Sequence, residues 1–180
     1  EQFVGDPRAG RRGEVLGVAG LIGSGFERIL DLLYGVEPAA GGTLSIGDDR
    51  YDLESMSPRR SVRRGIGFVP AERLTDGCAP TLTVAENVTA YIAPALAGPL
   101  GSLRAGTVRD KSRALTDPLD VRPANPDLPI QALSGGNQQK AVLAKWLGVE
   151  PRLLLISEPT QGVDVGARAQ IGEVLDTIAG

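Results

Sequence analysis

Histidine is absent from this chain and cysteine occurs once, at Cys78. Without histidine or a second cysteine no familiar metal-ligand spacing can be written and no internal disulfide can form, so a reducing compartment is the natural setting. Aromatic residues make up 4% of the chain, which leaves few platforms on which bases could stack. Nineteen basic against 22 acidic residues give a net charge of -3, a balance that lends no support to a nucleic-acid partner. No apolar run reaches the roughly 18 residues of a membrane span, and no leader pattern of basic then apolar residues occurs. Internal repeats and low-complexity tracts are also missing.

What remains is ordinary for a folded domain: 180 residues, 42% hydrophobic and 23% charged. That length suits one domain, or one domain with an inserted subdomain, and is enough for a substantial core. The stretch around which the chain is organised is Leu133-Ser134-Gly135-Gly136-Asn137-Gln138-Gln139-Lys140. The periodic apolar run after it, through Trp146 and Leu147, makes it a loop opening into a helix. The first N–H groups of such a helix lack partners and face outward with the positive end of the dipole. Ser134 can add a hydroxyl beside them. Taken alone, S-G-G reads first as a capped helix with a flexible entry, and only the motifs around it favour an anion site.

Residues 1–13 are polar and glycine/arginine-rich, patterned only at Phe3 and Val4, and read as a frayed edge hairpin or a boundary. Glu14 to Ala19 form a short apolar run, Gly20 to Gly25 a glycine loop, and Phe26, Ile29, Leu30 and Leu33 recur at helical spacing up to Gly35. The expectation is a strand, a loop and a helix in succession. Gly20-x4-Gly25 has the spacing of a P-loop, whose N–H groups surround phosphates, with Gly23 and Ser24 inside it. A P-loop continues with Lys and Ser/Thr, whereas Phe26 and Glu27 stand here. Arg28 leaves the helix from roughly the opposite face and is a poor substitute for the lysine. Glu27 could ligate a metal, but beside a polyphosphate its charge costs roughly 1–4 kcal/mol, and an acid complementing the helix dipole is the simpler account.

Further along, Thr43 to Ile46 alternate before the turn residues Gly47-Asp48-Asp49, which predicts a two-stranded ribbon within 36–53. Ser57-Pro58 opens a helix carrying Arg59, Arg60, Arg63 and Arg64, a candidate phosphate site or a solvated face. Gly65 to Val69 form a compact apolar strand. Leu82 to Val88 start a helix, and the prolines from Pro94 to Pro129, with Gly98, Gly101 and Gly106, break the chain beyond it. A small helical subdomain is therefore expected, inserted at about 78–133. Leu153 to Ile156 have the composition of a parallel strand buried on both faces, and a final amphipathic helix is expected from Gly166 to Ala179.

The phrases LSGGNQQK and RLLLISEPTQGVDVGAR resemble the signature, Walker B and D-loop of ABC-type ATPases. The N-Q-Q-K ending and GVDVGA are most similar to the ATP-binding subunits of carbohydrate importers of the ribose, galactose and xylose type, in which one polypeptide carries two ATPase domains; this chain resembles the second. The resemblance runs from about Gly13 to the end. It implies a P-loop NTPase fold: a three-layer α/β domain with a mostly parallel sheet, an antiparallel β ribbon and an inserted helical subdomain. It implies ATP and Mg²⁺ as cofactors, and as partners a second ATPase domain in a head-to-tail sandwich, transmembrane permease subunits and, indirectly, a sugar-binding protein. The setting implied is the cytoplasmic face of the membrane.

Residue by residue, Glu158 aligns with the family's water-polarising base and Asp164 with the D-loop acid. Ser134, Gly135, Gly136 and Gln138 fall in the signature, which acts on a nucleotide held by the other domain. Gly20, Gly23, Ser24 and Gly25 fall in the P-loop. Departures cluster on one side: Phe26 and Glu27 replace the P-loop lysine and hydroxyl, Ser157 replaces the Walker B aspartate that anchors Mg²⁺, and Ala71 stands where the Q-loop glutamine is aligned, with Glu72 and Arg73 beside it. No residue is therefore expected to hold a metal at this domain's own site. The family's switch histidine falls beyond the last residue of the chain, so the domain's C-terminal part is expected to be missing. The expectation is a domain that completes its partner's site but is poorly equipped to run its own. Two other readings share these motifs: a cytoplasmic ABC ATPase acting in translation or repair, and a non-catalytic scaffold that only docks a membrane partner.

Overall fold

The computed structural model describes residues 13–21, 23–159, 161 and 171–175. Two short parallel strands, β3 (Ile66–Val69) and β4 (Leu153–Ile156), form its centre, in the register Ile66↔Leu153 to Val69↔Ile156. Successive side chains of a strand face opposite ways, and here both faces are covered. Ile66, Phe68 and Leu155 pack with Tyr34 and Met56 on one side. On the other, Val69, Leu154 and Ile156 pack against a helical core that includes Leu143 and Trp146. The result is a three-layer α/β arrangement, with the uninterrupted apolar composition of both strands explained by burial on two faces.

The first layer contains α1 (Ile29–Tyr34), α2 (Pro58–Arg63) and an antiparallel ribbon, β1 (Thr43–Ile46) with β2 (Asp49–Asp52). The ribbon turns through Gly47 and Asp48, with Gly47 at a φ of 61°, as a two-residue hairpin requires. Arg152 fastens it to the entry of β4, donating from Nη1 to Asp49 Oδ2 at 2.7 Å and from Nη2 to the Ile46 carbonyl at 2.8 Å. Proline at the first position of α2 fits the missing N–H at a helix start. Ser61, fully buried, donates from α2 to the Tyr34 carbonyl at 2.6 Å.

The second layer is helical: α3 (Val84–Thr89), α4 (Ala93–Leu96), α5 (Ala105–Thr116) and α6 (Gly135–Leu147). Thr83 caps α3 in a reciprocal box with Glu86, whose carboxyl is held below its usual range by the Thr83 hydroxyl and N–H. Asn87, buried in α3, pins the preceding loop by accepting from the Ala79 N–H at 2.7 Å and donating to the Ala79 and Thr83 carbonyls, each at 3.0 Å. Residues 171–175 are helical, with Ile171 and Val174 buried in the same core.

Two sequence expectations are corrected. The segment from Glu14 to Ala19, expected as a strand, has no regular secondary structure, and Val15, Leu16 and Val18 are exposed. A strand needs a hydrogen-bonding neighbour, which the composition of the segment cannot reveal. Gly106, counted among the breaks, lies inside α5, because one glycine costs a 12-residue helix only about 1 kcal/mol. The edge hairpin considered for 1–13 lies outside the described residues apart from Gly13, as does most of the final helix.

Gly35 ends α1 at a φ of 83°. A Cβ there would meet the Ser57 nitrogen at 2.5 Å and the Met56 carbonyl carbon at 2.6 Å, so both conformation and space demand glycine. Gly35→Ala should cost about 2–4 kcal/mol and lower the melting temperature by several degrees in calorimetry. Lys145 supplies a pH test. Its Nζ donates to the Gly77 carbonyl at 2.5 Å and faces the Tyr91 and Trp146 rings, and burial pushes its pKa down to about 8, against the field of Cys78. The folded chain thus releases this proton more readily than the unfolded one. The charge costs stability below pH 8, and the cost fades as pH rises towards 10.5. Lys145→Met should therefore stabilise by about 1–2 kcal/mol at pH 7. The advantage over wild type should shrink between pH 8 and 10; an advantage flat with pH would refute the account.

Candidate functional site

The glycine loop comes first in sequence. Its Ser24 N–H donates to the Leu21 carbonyl at 2.9 Å, and Gly25, at a φ of 87°, leads into a 3₁₀ turn, Phe26–Arg28, continuous with α1. The loop is occupied by its own side chains. Glu27 folds back so that Oε1 accepts from the Gly23 N–H at 3.2 Å. A Cβ placed on Gly20 would lie 2.8 Å from Cδ1 of Phe26 and 2.9 Å from the Ser24 hydroxyl, so the phenylalanine lies across the start of the loop. Arg28 turns away and donates from Nε to Glu37 at 2.7 Å. A carboxylate thus takes the place an anion would need, and an apolar ring replaces the lysine that would draw one in.

The carboxyl ends of β3 and β4 define a second region, the edge at which open α/β sheets bind ligands. The Ser157 N–H extends the ladder by donating to the Val69 carbonyl at 2.8 Å. Glu158 comes next, exposed, with a left-handed φ of 44°. Its carbonyl accepts from the Gln161 N–H at 3.0 Å, closing a turn. Ser157 is a neutral hydroxyl, Glu27 is engaged by Gly23, and no group of three carboxylate or cysteine ligands occurs among the described residues. This donor set does not fit a magnesium ion, which takes near-octahedral oxygen ligation with carboxylate support.

The start of α6 is the third region. Ser134 occupies the N-cap position and is exposed; Gly135 is half-buried and Gly136 buried. The Ser134 hydroxyl does not cap its own helix. It accepts instead from Asn137 Nδ2 at 2.9 Å, while Asn137 Oδ1 accepts from the Arg122 N–H at 2.7 Å. The first-turn N–H groups of α6 therefore keep no intrahelical acceptor and stand beside a hydroxyl held in place by the Asn137 amide. Gln138, 6% exposed, points inward: Nε2 donates to the Leu133 carbonyl at 2.9 Å, and Oε1 accepts from Arg73 Nε at 3.2 Å. Lys140, also buried, donates to the Asp120 carbonyl at 3.3 Å.

Of the residues singled out from sequence, Gly20, Gly23, Ser24 and Gly25 share the self-filled loop, Ser134, Gly135, Gly136 and Gln138 share the α6 start, and Glu158 lies at the β4 end. Asp164 lies outside the described residues. Sequence reasoning missed the roles of Arg73, Asn137 and Asn87. Only Arg73 left a trace, as the basic member of a pair after β3.

A family model described as ABC transporter matches residues 10–161. The chain is 41% identical over 169 residues to the ribose import ATP-binding protein RbsA of Geobacillus kaustophilus, covering 94% of this chain and 34% of that protein. It is 43% identical over 169 residues to the xylose import ATP-binding protein XylG of Burkholderia ambifaria, covering 94% and 32%. The arabinose import ATP-binding protein AraG of Pseudomonas syringae pv. tomato is 38% identical over 170 residues, with 94% and 33% covered. The chain thus spans about a third of the length of the curated relatives it matches. Among solved structures, the ATP-binding cassette MJ0796, in a dimeric post-hydrolysis state bound to ADP and Pi, superposes with a TM-score of 0.74 at 21% identity, covering 96% of this chain and 72% of that one. That likeness shows the P-loop NTPase fold. With the family model matched over most of its length and relatives of this similarity over nearly all of it, the chain belongs to the ABC transporter family.

Proposed function

We propose that this chain is a nucleotide-binding domain of a sugar importer that completes the ATP site of a second ATPase domain while holding no nucleotide productively itself. The observation that carries the reading is the contrast between two loops. The glycine loop is filled by Phe26 and engaged by the Glu27 carboxylate. The start of α6 presents an exposed Ser134 hydroxyl beside N–H groups that have no intrahelical acceptor. Aimed at a γ-phosphate held by the partner, that hydroxyl and those N–H groups stabilise the charge that builds up during hydrolysis. Gly135 and Gly136 allow the close approach, and Asp164 is the D-loop acid in this reading. Gln138, turned inward, shapes the signature turn and does not reach the nucleotide.

Sugar import is supported by the names of the relatives, which act in ribose, xylose and arabinose import. The chain corresponds in this reading to the second of two tandem ATPase domains, with 78–133 as the helical subdomain that meets a transmembrane permease at the cytoplasmic membrane face. A sugar-binding protein is an indirect partner. Glu158, at the end of β4, keeps the position of a water-polarising base, but with no magnesium-binding set beside it its role is vestigial. ATP and Mg²⁺ act at the site this chain completes.

Calorimetric titration of the chain with ATP, with and without Mg²⁺, is expected to show no binding or a Kd weaker than about 1 mM that ignores the metal. Micromolar, Mg²⁺-dependent binding would overturn the assignment of a lost site. In the assembled importer, Ser134→Ala should lower ATP turnover by roughly tenfold or more. Unchanged turnover would show that the signature serine is structural.

A further inference from the structure

A series of hydrogen bonds joins two motifs far apart in the chain. The Gln161 N–H closes the turn on the Glu158 carbonyl, and the Gln161 carbonyl accepts from Arg73 Nη1 at 2.8 Å. The same guanidinium donates from Nε to Gln138 Oε1 at 3.2 Å. Gln138 then holds the turn before the signature helix through its side-chain amide: Nε2 donates to the Leu133 carbonyl at 2.9 Å and to the Gln131 carbonyl at 3.4 Å. Arg73 opens a single π-helical turn, Arg73–Gly77, separated from the end of β3 by three residues, a rare wide turn frequent at functional sites.

We infer that Arg73 is a positioning residue for the signature: it sets where Ser134 stands relative to the Glu158 turn. A planar guanidinium presents several donors in a fixed fork, so one side chain can satisfy two acceptors on separate elements and fix the distance between them. The Gln138 amide has almost no access to water, and without Arg73 its carbonyl loses its charged donor. The turn from Gln131 to Ser134 would then lose the support on which its geometry depends. Lysine, a point charge on a flexible stem, can serve one of the two acceptors but not both in the same geometry. The assignment rests on the reading that Ser134 acts on a nucleotide in the partner domain.

The test is steady-state ATP turnover in the full-length ATPase subunit assembled with its permease, for Arg73→Ala, Arg73→Lys, Gln138→Ala, the double variant Arg73→Ala/Gln138→Ala, and Ser134→Ala. The expected result is a fall in kcat of at least fivefold in both Arg73→Ala and Gln138→Ala, with KM for ATP within twofold of wild type. The double variant should be no worse than the poorer single, and Arg73→Lys should recover less than half of the loss. Should Arg73→Ala fail to assemble, a cycle built on Arg73→Lys and Gln138→Ala reads the same coupling. Additive losses, or wild-type kcat in Arg73→Ala, with Ser134→Ala strongly impaired, would overturn the role of Arg73 and leave the functional reading intact. Wild-type turnover in Ser134→Ala would overturn the functional reading itself, and the positioning role with it.

Discussion

Trp146 is the contact on which the arrangement depends. Its indole, 1% exposed, donates from Nε1 to the Phe68 carbonyl at 3.0 Å and stacks on the Tyr91 ring at a centroid distance of 4.7 Å. Gly67 makes this possible, since a Cβ there would meet the indole Cε3 at 2.9 Å. A buried tryptophan is worth several kcal/mol, and this one locks α6 onto β3. Ser134 and Arg73 both derive their places from that lock, because Ser134 is the N-cap of α6 and the chain leaving β3 at Val69 reaches Arg73 four residues on. The relative position of these two residues is therefore inherited from a single packed interface before any hydrogen bond refines it.

The charge pattern obeys the same division. At the start of α6 no carboxylate lies in the first turn, so the positive end of the helix remains available. At the glycine loop the opposite holds, because Glu27 sits in the first turn and spends its carboxylate on the loop's own amide. The two helix starts thus differ in what they offer an anion, in backbone as well as in side chains: one follows a left-handed Gly25 into a 3₁₀ turn, the other an extended Ser134 into an α-helix.

Much of this was legible in the sequence wherever local composition decides structure. The β1–β2 ribbon, β3, β4, α2 behind Ser57-Pro58 and the end of α1 at Gly35 all fall where turn residues and apolar runs place them. The replacements at Phe26, Glu27 and Ser157 were visible as departures from a pattern. What sequence could not show was where side chains turn. That Glu27 reaches back to Gly23 and that Asn137 holds the Ser134 hydroxyl depend on rotamers, and that Gln138 faces inward depends also on Arg73, 65 residues away. The failed strand at 14–19 has the same cause, because hydrogen-bonded pairing is a property of two segments.

The doubly filled glycine loop also bears on how such a domain can change over time. Replacing Phe26 alone with lysine would leave the Glu27 carboxylate on the Gly23 amide, where it would pair with the new charge before any phosphate could. Replacing Glu27 alone would free the amide and leave the Phe26 ring across Gly20. Neither single step opens the loop, so the two positions are epistatic, and Ser157 adds a third condition for holding a metal. In the proposed reading of an idle loop, no single substitution therefore reopens it, because each occupant guards the loop when the other is removed.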